Sequence, residues 1–223
     1  MMADDSPVRI ETLEVGDLAV RCYIVFAAGV DAGAAPGGVP CVVVDPGGDT
    51  DVIMARILRL GLNLETILLT HAHADHIGGI EAILELRPEA ELACSAETAR
   101  RASDPLLNLS AFVGVPFAAP KAGRILVDGE TFTAAGLSWR AAEVPGHDPG
   151  EMAFILGNDA LFSGDVVFAG SVGRSDFPGG DGELLVRGVK KLLNSLSPDM
   201  PIYPGHGPAT TVRRELAANP FLL

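Results

Sequence analysis

Between Leu68 and Gly79 the chain reads LLTHAHADHIGG, and His71, His73, Asp75 and His76 fall within six residues. The 223 residues contain five histidines, and the other two are His147 in PGHDPGE and His206 in YPGHGP. Neutral imidazole is the commonest metal ligand in proteins. His71 and His73 are two apart, so an extended chain projects them to one side. Asp75 and His76 lie beyond a bend and can face a second position. Three imidazole nitrogens with a shared carboxylate suit a four-coordinate zinc site. Two nitrogens with two carboxylates make a harder site that suits Zn, Fe or Mn. A single histidine on a turn is ordinarily a surface residue. The cluster is different, since a chance H-x-H-x-D-H at this chain's own His and Asp frequencies arises on the order of 10⁻⁴ per chain.

The elements that must hold these residues are short and strand-rich. HAHADH follows the apolar TILLT, PGHDPGE follows RAAEV, YPGHGP follows MPI, and Asp165 stands in ALFSGDVVF, which reads as one strand region. Strand ends are where α/β architectures aim side chains into a shared crevice. Strands are predicted at 8–14, 18–26 and CVVVDPGGD, then at ETILLT, AELACS, RILV, TFTAA, LSWRAAEV and MAFILG. Helical spacing predicts helices over 51–60, 77–87, 96–102 and 182–195, with a short one after the last strand. Residues 103–120 are apolar but irregular. Ala27 to Pro40 is rich in Gly, Ala and Pro and is expected to be a loop, either a lid or a solvated hairpin tip. Two strand-rich halves, each with helices, predict an α/β sandwich of two sheets covered on their outer faces.

Bulk properties narrow the function. A 223-residue chain with 48% hydrophobic and 20% charged residues suits one globular domain. The formal charge is −13, which disfavours nucleic acid and anionic lipid as partners. No apolar run reaches the length of a membrane span. The N-terminal MMADDSPVRIE lacks the basic and apolar regions of a secretory signal. Cys22, Cys41 and Cys94 form no C-x-x-C pair and are expected to be buried free thiols in a reducing compartment, so a cytoplasmic location is expected.

The ordered series THAHADH, PGHDPG, SGDVVF and YPGHGP resembles the metallo-β-lactamase superfamily. VDPGGD at 44–49, GSVGRSDFPGGD at 170–181 and NPFL at 219–222 resemble its short glyoxalase II-like (hydroxyacylglutathione hydrolase-like) branch. The resemblance runs from about Cys41 to the end. It implies an αββα sandwich, two mixed β-sheets flanked by helices, with a dinuclear metal site at one edge. One divalent metal ion would take His71, His73 and His147, the other Asp75, His76 and His206, and Asp165 would bridge them. Zinc is the expected metal, with Fe or Mn as alternatives. Three features depart from the branch. Asp148 stands where similar proteins usually have Thr, as a turn former or as a carboxylate that orients a ligand. Only 17 residues follow His206, so 1–223 is expected to be a single domain without the C-terminal helical substrate domain of longer relatives. The 27–40 loop is long.

This resemblance implies hydrolysis of a small-molecule thioester of glutathione or a related thiol. The nucleophile would be a metal-bound hydroxide, Asp75 would ligate and orient it, and a thiolate would leave without a strong general acid. Arg174 is the candidate contact for a substrate carboxylate, and a salt bridge with Asp176 is the competing reading. Phe112 and Phe117 are candidates for a pocket wall or for core. The alternatives are a mononuclear-iron persulfide dioxygenase and a lactone hydrolase of the same superfamily. A true β-lactamase is disfavoured, because the common zinc β-lactamases are exported and carry Cys at the position of Asp165. A non-catalytic binding module would be favoured by a broken ligand set, and no ligand is missing here.

Overall fold

A computed structural model describes residues 7–29 and 37–223. In chain order its elements begin with β1 (Val8–Val15), β2 (Val20–Ala27), β3 (Val39–Val44), α1 (Thr50–Arg59) and β4 (Leu62–Leu68). Then come α2 (Ala74–Ile77), α3 (Ile80–Leu86), β5 (Glu91–Ser95), α4 (Ala96–Ala102), α5 (Ser110–Val113), β6 (Arg124–Leu126), β7 (Thr131–Ala134) and β8 (Leu137–Glu143). The chain finishes with β9 (Met152–Leu156), β10 (Ala160–Gly164), β11 (Val167–Phe168), β12 (Ser171–Val172), α6 (Gly182–Asn194), β13 (Pro201–Pro204), β14 (Thr210–Thr211) and α7 (Val212–Ala218).

Two six-stranded sheets result, in the orders β1-β2-β3-β4-β5-β6 and β14-β13-β10-β9-β8-β7. Both are mixed. In the first, β1, β2 and β3 run antiparallel and β3 to β6 run parallel. In the second, β7 to β10 are antiparallel and β13 is parallel to β10. Strand alternation explains the layering. On β3, Val42 and Val44 face the other sheet, while Cys41 and Val43 face the helices. On β9, Met152 and Phe154 point between the sheets while Ala153 and Ile155 point outward. Both faces are apolar because both are covered.

Helix α6 buries Leu185, Val189, Leu192 and Leu193, the one-face spacing of an amphipathic helix, and Asp181 caps it by accepting from the Leu184 N–H at 2.9 Å. Helix α1 buries Ile53, Met54 and Ile57 on the first sheet. The arrangement is the expected αββα sandwich. Among the described residues no helix is long and apolar enough to cross a membrane, and all three cysteines are buried and free.

Three segments differ from the sequence reading. The helix expected over 77–87 is α3 and starts only at Ile80, while a separate single turn, α2, precedes it and ends at Ile77. The Gly79 N–H leaves the helical pattern to donate to Pro46 O at 2.8 Å, and a Cβ on Gly79 would lie 2.7 Å from that oxygen. ALFSGDVVF is two strands, not one. After β10 the Gly164 carbonyl accepts from Gly205 N–H at 2.7 Å, and the Asp165 N–H donates to Glu151 Oε1 at 2.8 Å. The first bond is the last rung between β10 and β13, and the second takes the Asp165 N–H out of the ladder and leaves Asp165 at the strand end. Residues 103–120 contain the single turn α5, organised by the buried side chain of Asn108. Residues 30–36 of the expected 27–40 loop lie outside the described residues.

Candidate metal centre

Four strand ends meet at one edge of the sandwich. The chain leaving β4 carries His71 and His73, the latter extended, and α2 then places Asp75 and His76. The turns after β8, β10 and β13 deliver His147, Asp165 and His206. The His206 turn is held across the sheets. Tyr23 Oη of β2 donates to Pro204 O at 2.6 Å, and the Arg21 N–H donates to Gly205 O at 2.8 Å.

Seven side chains converge there. His73 Nδ1 lies 3.1 Å from His71 Nε2 and 2.9 Å from His147 Nε2. His206 Nε2 lies 3.3 Å from Asp75 Oδ2, and His76 Nε2 lies 3.9 Å from the same carboxylate. Asp165 stands between the groups, with Oδ1 3.5 Å from His76 Nε2 and Oδ2 3.6 Å from His147 Nε2 and 3.7 Å from His206 Nε2. The triads His71–His73–His147 and Asp75–His76–His206 could each hold a metal ion.

The fit to a cation can be tested on the atoms themselves. His76 Nε2 and Asp165 Oδ1 are buried, face each other and have no hydrogen-bond partner. Four ligands about 2.0 Å from a zinc ion sit about 3.3 Å apart, close to the nitrogen spacings seen here. Three imidazole nitrogens aimed at one point repel unless a cation lies among them. The donors therefore fit the group that the family implies. Gly205 belongs to this packing, because a Cβ there would collide with Asp165 Oδ1 and with the His76 ring.

The ring orientations are fixed from behind. Asp45, at the end of β3, accepts from Thr70 N–H at 2.8 Å and from Thr70 Oγ1 at 2.7 Å. Its Oδ2 also accepts from His76 Nδ1 at 3.0 Å, which leaves His76 Nε2 as the nitrogen that a metal ion would take. Because the Thr70 hydroxyl proton goes to Asp45, Thr70 Oγ1 accepts from His71 Nδ1 at 3.0 Å, and His71 presents Nε2. His147 Nδ1 donates to Arg174 O at 2.7 Å.

Burial and the neighbouring imidazoles of His76, His73 and His147 hold the His71 ring well below the ordinary histidine range. Burial and the same kind of neighbours bring His73 down to about 3. His76 is raised despite its burial, because Asp165 and Asp75 face it, and His206 is raised by its contact with Asp75. Burial works against ionisation of Asp75 and Asp165, yet the surrounding histidines, His76 first, hold both carboxyls below the usual range.

The sequence reading missed Asp45, Thr70, Arg101 and Glu151. Asp45 could have been noticed within VDPGGD. Glu151 is fully buried. Its Oε1 binds the Asp165 N–H and lies 3.6 Å from His71 Nδ1, and burial next to Asp165 and Asp148 pushes its carboxyl well above the ordinary range. Asp148 is the turn former considered for it and makes no hydrogen bond to a candidate ligand ring. Oδ1 accepts from Gly150 N–H at 2.9 Å as a turn former, while Oδ2 accepts from the buried Arg101 Nε at 2.7 Å and lies 3.9 Å from His73 Nε2. Arg174 forms the salt bridge of the competing reading. Its Nε and terminal nitrogen reach Asp176 at 2.7 and 2.6 Å, and its guanidinium covers Phe177 at 4.1 Å.

The centre opens into a cleft of about 690 Å³, whose lining includes Arg174 and Phe117. Phe112, by contrast, is exposed and joins neither the cleft lining nor the core.

Comparison with known proteins agrees with this geometry. Residues 34–206 match the family described as the metallo-beta-lactamase superfamily. The hydroxyacylglutathione hydrolase GloC of Haemophilus influenzae is 35% identical over 189 residues, 81% of this chain and 86% of the relative. Among solved structures, the BLEG-1 B3 metallo-beta-lactamase superposes with a TM-score of 0.87 at 30% identity, covering 96% of this chain and 99% of its own. TTHA1623, solved in a di-iron-bound form, gives 0.80 at 33% identity, covering 95% and 100%. The chain belongs to the metallo-β-lactamase superfamily and, by its relatives, to the glyoxalase II-like branch of it.

Proposed function

We propose that this protein is a metal-dependent hydrolase that cleaves a thioester of glutathione or a related thiol. The carrying observation is the meeting of two donor triads at the floor of one cleft, with Asp165 between them. His71, His73 and His147 would hold one divalent ion, Asp75, His76 and His206 the other, and Asp165 both. Zinc suits the nitrogen-rich donor set, and the di-iron form of TTHA1623 supports iron as the alternative. When bound, such ions supply Lewis acidity and a water that ionises near neutral pH. The rest falls to the chain. Asp75 borders the cleft and accepts a hydrogen bond from the attacking water, which orients its lone pair towards the thioester carbonyl. Asp45 and Thr70 keep the His71 and His76 rings in one tautomer throughout. The thiolate leaves without needing an acid from the protein.

Metal content and three assays test the reading. Two metals per chain with hydrolysis of glutathione thioesters are expected. One iron per chain with oxygen uptake on glutathione persulfide would overturn the reading in favour of the dioxygenase. The BLEG-1 similarity makes β-lactam hydrolysis the second reading, and turnover of a chromogenic cephalosporin without any thioester turnover would establish it instead.

Metal binding should also release protons. In the metal-free protein His76 and His206 are raised, so each keeps a proton at a pH where an ordinary histidine loses it, while His71 and His73 are lowered and already neutral. An imidazole must be neutral to bind a metal ion. Near pH 7, filling the Asp75–His76–His206 position is therefore expected to displace protons from His76 and His206, and affinity there should rise with pH. Calorimetric zinc titrations in buffers of different ionisation enthalpy measure this. A heat independent of buffer would contradict it.

A further inference from the structure

We propose that the cleft selects thioesters by an apolar acyl chain several carbons long, rather than by a small hydroxylated acyl group. This inference rests on the hydrolase reading above and specifies the acyl half of its substrate. Its main support is what lines the cleft. Leu18, Leu109, Val113, Phe117, Phe168 and Phe177 supply the walls. Phe177 stands edge-on to His73 with ring centroids 5.4 Å apart, and Phe168 edge-on to His206 at 6.2 Å, so each donor triad is flanked by a phenyl ring. Among the described lining residues Arg174 is the one Lys or Arg side chain, and its guanidinium is already engaged by Asp176.

The segment after α4 extends this wall. Asn108 Nδ2 donates to Ala102 O and Phe117 O at 3.0 and 2.8 Å, and Ser110 Oγ exchanges hydrogen bonds with Phe117 at 3.0 Å. These bonds close the neck of a tongue that includes α5. On it Phe112, Val113 and Val115 are 71%, 65% and 84% exposed. Leu109 enters the tongue at φ +68°, a conformation that a γ-branched residue adopts at a cost, and its side chain lines the cleft. Exposed apolar surface gathered at the rim of a catalytic cleft marks a binding surface. The walls offer little to glutathione, whose ends are charged, and a three-carbon hydroxyacyl group leaves most of about 690 Å³ unfilled. The acyl chain is the part of a thioester that can be long and apolar. Held at the donor triads by its carbonyl, it would run along Leu109, Val113 and Phe117.

The test separates binding from turnover. S-Methyl-, S-butyl- and S-hexylglutathione cannot be hydrolysed, and their Kd values for the metal-loaded protein are measured by calorimetry. The Kd is expected to fall about fourfold per added methylene, the ratio that follows from roughly 0.8 kcal/mol per buried CH₂. Val113→Asp and Leu18→Asp, both at exposed positions, should flatten that slope while the protein stays folded. In parallel, kcat/KM for hexanoylglutathione should exceed that for lactoylglutathione. A Kd that does not change from methyl to hexyl overturns the inference, whatever the turnover. A falling Kd with no turnover of any thioester overturns the proposed hydrolysis and leaves the apolar selectivity standing. If Val113→Asp changes the sedimenting mass and leaves the Kd series unaltered, the tongue is an interface between copies, and the inference is wrong.

Discussion

Asp165→Ala is expected to reduce metal content from two ions per chain to one or fewer and to lower thioester hydrolysis by about 10³-fold. The Asp165 carboxylate reaches both donor triads, 3.5 Å from His76 and 3.6 Å from His147. Without it, two cations at neighbouring positions would lose the negative charge that lies between them. Metal ions at hydrolytic centres contribute several kcal/mol to transition-state stabilisation, and each 1.36 kcal/mol is tenfold in rate. The fold should survive, because the Asp165 backbone keeps its bond to Glu151 and the side chain supports no layer of the core. Metal analysis, circular dichroism and kcat on the purified variant check this together. A folded variant that retains two metals would refute the bridging role.

The second large effect is expected at Asp45, which touches no metal position. Asp45→Ala removes the acceptor for the Thr70 N–H, the Thr70 hydroxyl and His76 Nδ1. A buried donor left unsatisfied costs about 1–3 kcal/mol, so the metal-free variant should lose about 3–5 kcal/mol of stability. The His76 ring would be free to turn, and the Thr70 hydroxyl would no longer be committed as acceptor for His71. Loss of such outer contacts typically lowers metal affinity about 10–100-fold. Chemical denaturation of the metal-free protein and chelator competition of the loaded one measure the two effects separately. A variant that loses stability but holds metal as tightly as the parent would show that Asp45 supports the fold without orienting the ligands.

The αββα architecture was legible because strands such as β2 and β9 are apolar on both faces, and because helices such as α6 bury one face at regular spacing. The places that were not legible share a cause. At Gly78–Gly79 and at Gly164–Asp165 the helix or strand pattern continues in the sequence. There the backbone hydrogen bonds go to Pro46, Gly205 and Glu151, which are remote in the chain. The irregular 103–120 segment takes its shape from one buried side chain, Asn108, and local periodicity carries no signal for such a device.

The candidate centre divides in the same way. Residue type and strand-end position single out His71, His73, Asp75, His76, His147, Asp165 and His206, because donor chemistry and short-range spacing are properties of the chain itself. The resemblance grouped them. Which nitrogen each ring presents is decided elsewhere: by Asp45 through Thr70 for His71 and directly for His76, and by the Arg174 carbonyl for His147. Glu151 and Arg101 have no motif to announce them. They matter through distances to residues 14 and 47 positions away. Arg174 lines the cleft, and only the fold shows that its guanidinium also pairs with Asp176. The sequence by itself determined the donors and the layers that carry them, since both depend on local side-chain chemistry and period. Only the tertiary structure decided the donors' orientation, their buried supports and the apolar walls of the cleft, since these depend on atoms brought together from distant parts of the chain.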